Sequence, residues 1–173
     1  TVTISDVGTE IDLAAGVDIT ASGGNVDLNN TVAQIDLSGT TDTNTISASG
    51  SVELANVVDT GTTTATSPVE LVVTAGTGVT LGTVTLSNTL DVDFDTATGT
   101  STLNAGSLSA GTIEVDGVGT NDVMNFGSTV VSTVAGVTIG NAGTVDLDGD
   151  VTGATTVTIS DVGTEIDLAA GVD

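Results

Sequence analysis

The segment TVTISDVGTEIDLAAGVD fills residues 1–18 and returns without a change as residues 156–173, an offset of 155 residues (156 − 1). Inside it, Val2-Thr3-Ile4 and Ile11-Asp12-Leu13 alternate apolar and polar residues, the period of a β-strand with one face in a core. A self-contained globular domain does not produce an identical match at both ends. Repetition at a fixed period predicts a stacked, quasi-one-dimensional architecture. The chain is accordingly read as one unit, residues 1–155, followed by the start of the next identical unit, residues 156–173. The same match also suits a subunit whose two ends share a structural role.

The alternation recurs along the whole chain. It appears as Val26-Asp27-Leu28, Ile35-Asp36-Leu37, Val52-Glu53-Leu54, Val69-Glu70-Leu71, Val79-Thr80-Leu81, Val84-Thr85-Leu86, Val145-Asp146-Leu147 and Ile166-Asp167-Leu168. Longer or variant forms are Leu90-Asp91-Val92-Asp93-Phe94, Ile113-Glu114-Val115 and Val137-Thr138-Ile139. Gly, Ser, Asn, Thr and Ala lie between them as turn residues. No segment sustains an apolar spacing of three and four, so no substantial helix is expected. Many short strands suit a sandwich, a barrel or a solenoid. The long identity favours an all-β parallel β-helix, or β-solenoid. Strands opening near Val2, Val26, Ile46, Val69, Leu90, Ile113, Val137 and Val157 divide the period into seven coils of about 22 residues. At about 4.8 Å per coil, the axial period would be on the order of 34 Å. On this count the period is close to a whole number of coils, and the second copy falls in register with the first.

Composition excludes several functions. The chain has 23 acidic residues and no Lys, Arg or His, a net charge of −23. It has no cations to offer the phosphates of a nucleic acid or an anionic membrane surface. Hydrophobic residues make up 38 % and the acids are dispersed among them, which argues against disorder. Without cysteine there are no disulfides and no thiolate metal sites. No apolar run is long enough for a membrane-spanning helix. The chain opens on Thr1 rather than Met, which predicts a processed or truncated start with any targeting signal outside it.

The short [Val/Ile]-x-[Leu/Ile] strands, the Gly-Thr and Gly-Asn corners, the abundance of Thr, Ser, Asn and Asp and the lack of Cys resemble the repetitive right-handed parallel β-helices of bacterial surface and secreted proteins. Filamentous-haemagglutinin-like adhesins and autotransporter passenger domains are the nearest type. The resemblance implies an extracellular or cell-surface location. The total lack of basic residues departs from the usual adhesin, and the glycine-rich nonapeptide of calcium-binding β-rolls is absent.

In a solenoid the first and last coils leave backbone groups and apolar faces open unless they are capped. Neither end of this sequence carries a cap-like segment. The expected partner is therefore the protein itself, either as covalent tandem repeats or by head-to-tail docking, and a heterologous contact of that kind builds open filaments. Val2, Ile4, Ile11 and Leu13 at one end, and Val157, Ile159, Ile166 and Leu168 at the other, are the expected assembly junction. Asn29, Asn30 and Asn56 are candidates for stacked amide ladders.

The carboxylates offer a second candidate site. Stacking 90–94 on 113–116 places Asp91 on Glu114 and Asp93 on Asp116, with Leu90, Val92, Phe94, Ile113 and Val115 inside. Like charges directly opposite are destabilising, and a calcium ion would reverse the sign. Asp91, Asp93, Asp95, Glu114 and Asp116 form one candidate calcium set, and Asp146, Asp148 and Asp150 a second. The plainer reading is a solvated acidic face that keeps fibres soluble; divalent cations could also join fibres laterally. No cofactor is required, and no enzyme is expected: Ser and Thr have no activating His or Lys, and acids alone make a poor general-base site. The Thr-rich stretches at 60–64 and 96–100 read as corner loops, Asn29-Asn30-Thr31 as a lone glycosylation sequon, Pro68 as a corner, and Phe94 and Phe126 as core. The leading functional expectation is a structural repeat of an extracellular filament, sheath or surface-layer fibre. The alternative is the stalk of a giant cell-surface adhesin whose binding tip lies outside this segment.

Overall fold

The alternating strands close into a parallel β-solenoid in a computed structural model that describes residues 1–4, 7–14, 16–29, 34–37, 43–59, 71–95 and 99–173. Pro68, Val69, Glu70, Asn30 and the Thr-rich residues 60–64 and 96–98 lie outside the described residues. Three parallel sheets form the walls. The first holds β1 (Val2–Thr3), β4 (Val26–Leu28), β7 (Ser51–Leu54), β10 (Gly78–Leu81), β13 (Thr102–Ala105), β16 (Val123–Phe126), β19 (Thr144–Leu147) and β22 (Glu165–Leu168), in that order. The second holds β2 (Glu10–Leu13), β5 (Gln34–Leu37), β8 (Asn56–Val58), β11 (Val84–Thr85), β14 (Leu108–Ala110), β17 (Val130–Ser132) and β20 (Val151–Thr152). The third holds β3 (Asp18–Ala21), β6 (Asn44–Ala48), β9 (Leu71–Ala75), β12 (Thr89–Phe94), β15 (Thr112–Asp116), β18 (Gly136–Gly140) and β21 (Thr156–Ser160). Every turn adds one strand to each sheet in the same order, and no helix occurs among the described residues.

Register follows from the alternation, because a slip of one residue would turn the apolar set outward. In the first sheet Val2, Val26, Val52, Val79, Leu103, Met124, Val145 and Ile166 stand in one column. In the third sheet Ile46, Val73, Val92, Val115, Ile139 and Ile159 do the same. Between the ends these columns are buried, and they form one continuous core. Phe94 and Phe126 fill it, as do Leu90, Val92, Ile113 and Val115.

Turn length varies without disturbing the register. Ile46 to Val73 and Val73 to Val92 are each one turn, yet the first step along the chain is much the longer. One corner stacks glycines: the Gly50 N–H donates to the Gly24 carbonyl at 2.9 Å, and the Gly76 N–H to the Gly50 carbonyl at 3.0 Å. A side chain at Gly76 would run into the carbonyl of Ser49. Another corner is tied by Asp122, only 2 % exposed, whose carboxylate accepts N–H bonds from Ser101, Val118 and Gly119. Amides also bridge turns, since Asn25 accepts from Ser51 N–H at 3.0 Å and Asn56 from Thr83 N–H at 3.2 Å. The side-chain amide ladder itself runs on a sheet face, where Asn125 donates to Asn104 at 2.9 Å. Asn29 instead donates its N–H to Asp27.

The register of the duplicated segment differs from the sequence expectation. Val2-Thr3 lies in the first sheet, but its copy Val157-Thr158 lies in the third. Glu10–Leu13 lies in the second sheet, but its copy Glu165–Leu168 lies in the first. β21 is the twentieth strand after β1, so one sequence period spans six and two-thirds turns. The sequence count of seven coils jumped from the first sheet at Val26 to the third at Ile46, which skipped that third of a turn.

Candidate functional site

Both rims are built from the same eighteen residues, yet they present them differently. At the N-terminal rim Ile11 and Leu13 are 8 % and 6 % exposed. Their copies at the C-terminal rim, Ile166 and Leu168, are 46 % and 55 % exposed, and Val157 is 45 % exposed. The remaining junction residues, Val2, Ile4 and Ile159, are half-buried against the core. Each copy is paired on one side only. The first copy leans on the turn above it, with β4 paired to β1 and β5 to β2. The second copy is paired below, to β18 and β19, and its other edge faces solvent in this chain. The structure thus brings Val157, Ile166 and Leu168 to one open rim and holds Ile11 and Leu13 in the core.

The sequence left one rim feature unread. The N–H of Val151 donates to the carbonyl of Asp173 at 3.3 Å, and the Asp173 N–H donates to the Asp150 carboxylate at 3.1 Å. Asp173 thus lies beside β20 at the edge of the second sheet, while its counterpart Asp18 opens β3 in the third sheet. Both strands of the duplicate are displaced by one sheet in the same direction. The step from Val26 to Ile46 holds only one further strand, Gln34–Leu37, and counting it would have exposed the offset.

The acidic ladders have the register read from the sequence: Asp91 is opposite Glu114 and Asp93 opposite Asp116. Asp27 likewise faces Glu53, Asp12 faces Asp36 and Asp146 faces Asp167. Each ladder is short. Val72 and Thr138 flank the Asp91–Glu114 pair, and Thr74 and Gly140 flank Asp93–Asp116. Asp95 lies past the end of β12 with its N–H on the Ala75 carbonyl, and Asp148 and Asp150 lie beyond the end of β19. Among the described residues no group of three or more carboxylates converges to hold a metal ion. Burial, and after it the neighbouring Asp116 charge, raises the Asp93 carboxyl above the ordinary aspartate range.

Comparison with protein-family models, with characterised proteins and with solved structures gave no match for this chain.

Proposed function

We propose that this chain is a structural module of an extracellular filament, sheath or surface-layer fibre that grows end to end through its solenoid rims. One observation carries the reading: the chain is a stacked β-solenoid in which the same eighteen residues return unchanged after 155 residues, and in the second copy Val157, Ile166 and Leu168 are about half exposed in this chain. Full burial of such a side chain contributes roughly 1.5–3 kcal/mol, so covering this rim favours association by a few kcal/mol before the cost of immobilising a partner. Open rims with unpaired strand edges are templates for more strands, and a solenoid has no intrinsic limit on stacking. The rest of the surface opposes indiscriminate contact. Apart from the exposed Val118 and Val134, its outward positions carry mostly acids and hydroxyls, and a charge of −23 keeps rods apart sideways. Calcium or another divalent cation shared between acidic ladders of two rods would supply lateral association where bundles form. The location outside the cell rests on the resemblance to bacterial surface β-helices, whose general architecture this chain shares.

The test is assembly of the purified chain, followed by sedimentation and negative-stain electron microscopy over a range of concentrations. Uniform unbranched fibres are expected above a critical concentration. Ile166→Asp with Leu168→Asp should abolish them while circular dichroism stays β-rich. A chain that remains monomeric at every concentration, or a double variant that assembles as the parent does, would refute the reading.

A further inference from the structure

We infer that Asn29 is an N-glycosylation site, the acceptor of an oligosaccharide delivered from a lipid diphosphate carrier. The inference rests on the location outside the cell and not on how copies assemble.

Of the ten asparagines in the chain, only Asn29 has a Ser or Thr two residues on, in Asn29-Asn30-Thr31. Asn30 and Thr31 lie outside the described residues, whereas Asn29 is described. Most other asparagines have their side chains in use. The Asn25 and Asn56 side-chain oxygens accept N–H bonds from the next turn, and the buried Asn44 accepts from Val17. Asn125 donates to Asn104, and Asn141 donates to Asp116. Asn29 differs. It is exposed, and among the described residues its side-chain amide has no hydrogen-bond partner.

The fold presents this residue at a corner. β4 ends at Leu28, and the Asn29 N–H donates back to the Asp27 carboxylate at 3.0 Å. An aspartate that binds the backbone two residues on makes a turn of its own, so the acceptor leaves the wall instead of continuing the strand. The stack leaves room beside it. Leu28, Leu54, Leu81, Ala105 and Phe126 stand in one column. The positions one residue further on are Asn29, Ala55, Gly82, Gly106 and Gly127. At that position of the corner, no side chain larger than a methyl stands in the four turns after Asn29. A groove of about 290 Å³ lies along the same corner, with Thr80, Asn104 and Asn125 beside Gly106 and Gly127. Hydroxyls and amides can donate to and accept from sugar hydroxyls, and none of the residues lining the groove is a carboxylate.

The transfer balances without a redox partner. Asn29 Nδ2 attacks C1 of the first sugar, and the N–C1 bond forms as the C1–O bond to the diphosphate breaks. The lipid diphosphate leaves with that electron pair, and one amide proton passes to a base of the transferring enzyme. Nothing is oxidised or reduced. The product carries one bulky, solvated chain on a surface whose other means of staying dispersed is its negative charge.

The test is transfer in vitro to the folded full chain, with a purified oligosaccharyltransferase and its lipid-linked oligosaccharide as the probe. Circular dichroism should show the same β-rich spectrum before and after transfer. Intact mass spectrometry should show one added glycan, and peptide mapping should place it on Asn29. Asn29→Gln and Thr31→Ala should each abolish the addition, while Asn30→Gln, which keeps the sequon, should retain it. A folded chain that takes no glycan, a chain that takes it only when unfolded, or a glycan that persists in Asn29→Gln would overturn the site. Each of those results leaves the filament reading standing, because that reading is decided by whether unmodified chains assemble.

Discussion

Asp93 shows how a single side chain reports the cost of an acidic ladder. Its carboxyl is raised by burial and then by the Asp116 charge opposite. The folded chain therefore binds this proton at a higher pH than the unfolded chain does. The stabilisation from protonation is complete below the ordinary aspartate pKa of about 4 and is lost as pH rises through the raised value. Relief of a like-charge cross-strand pair is worth roughly 0.2–1 kcal/mol, or about 1–3 °C for a chain of this size. Asp93→Asn should raise the melting temperature by that amount at pH 7, and the gain should shrink towards zero at pH 4. Thermal melts at the two pH values check this; a gain that does not change with pH would assign the effect to something other than the Asp93 charge. The register that pairs Asp91 with Glu114 and Asp93 with Asp116 is the one read from the sequence, and a slip of one residue would turn Leu90, Val92, Ile113 and Val115 outward. The pKa shift was not, because it depends on how deeply the ladder is covered.

At the scale of elements, strands are interchangeable and corners are not. Strand positions accept Val, Ile, Leu, Met or Ala inward as long as the period of two holds, which is why Leu103-Asn104-Ala105 and Leu108-Ser109-Ala110 serve as strands despite weak signals. Corners carry backbone approaches that only small residues permit. Gly76→Ala should cost about 1–3 kcal/mol by forcing the stacked corner away from Ser49, the size of a typical overpacking penalty. Gly23→Ala, where an added side chain meets nothing, serves as the control. Equal loss of stability in both variants by denaturant unfolding would contradict the packing explanation. Sequence inspection marked these glycines as turn residues, but it did not show which of them touch the turn below. Close approach arises from stacking residues a full turn apart, as Asn25 on Ser51 and Asn56 on Thr83, and no local pattern records it.

The whole molecule combines a core that stacks without limit and a charge that resists it. With −23 on the chain and acids opposite acids in Asp12–Asp36, Asp27–Glu53, Asp91–Glu114, Asp93–Asp116 and Asp146–Asp167, mutual repulsion lowers stability. Raising ionic strength from about 10 mM to about 150 mM shortens the screening length from about 30 Å to about 8 Å. The melting temperature should therefore rise by several degrees, by scanning calorimetry with a monovalent salt, and an unchanged or lower value would refute this account. Local alternation and the eighteen-residue identity were enough to establish the fold class, the inward and outward faces and the register of residues 90–94 on 113–116. The phase came from the assembled stack alone: which wall each copy joins. The third of a turn skipped between Val26 and Ile46 was carried unchanged to Val157, because every later step along the third sheet is a whole turn. Identical residues therefore form a buried strand at Ile11 and Leu13 and an open one at Ile166 and Leu168.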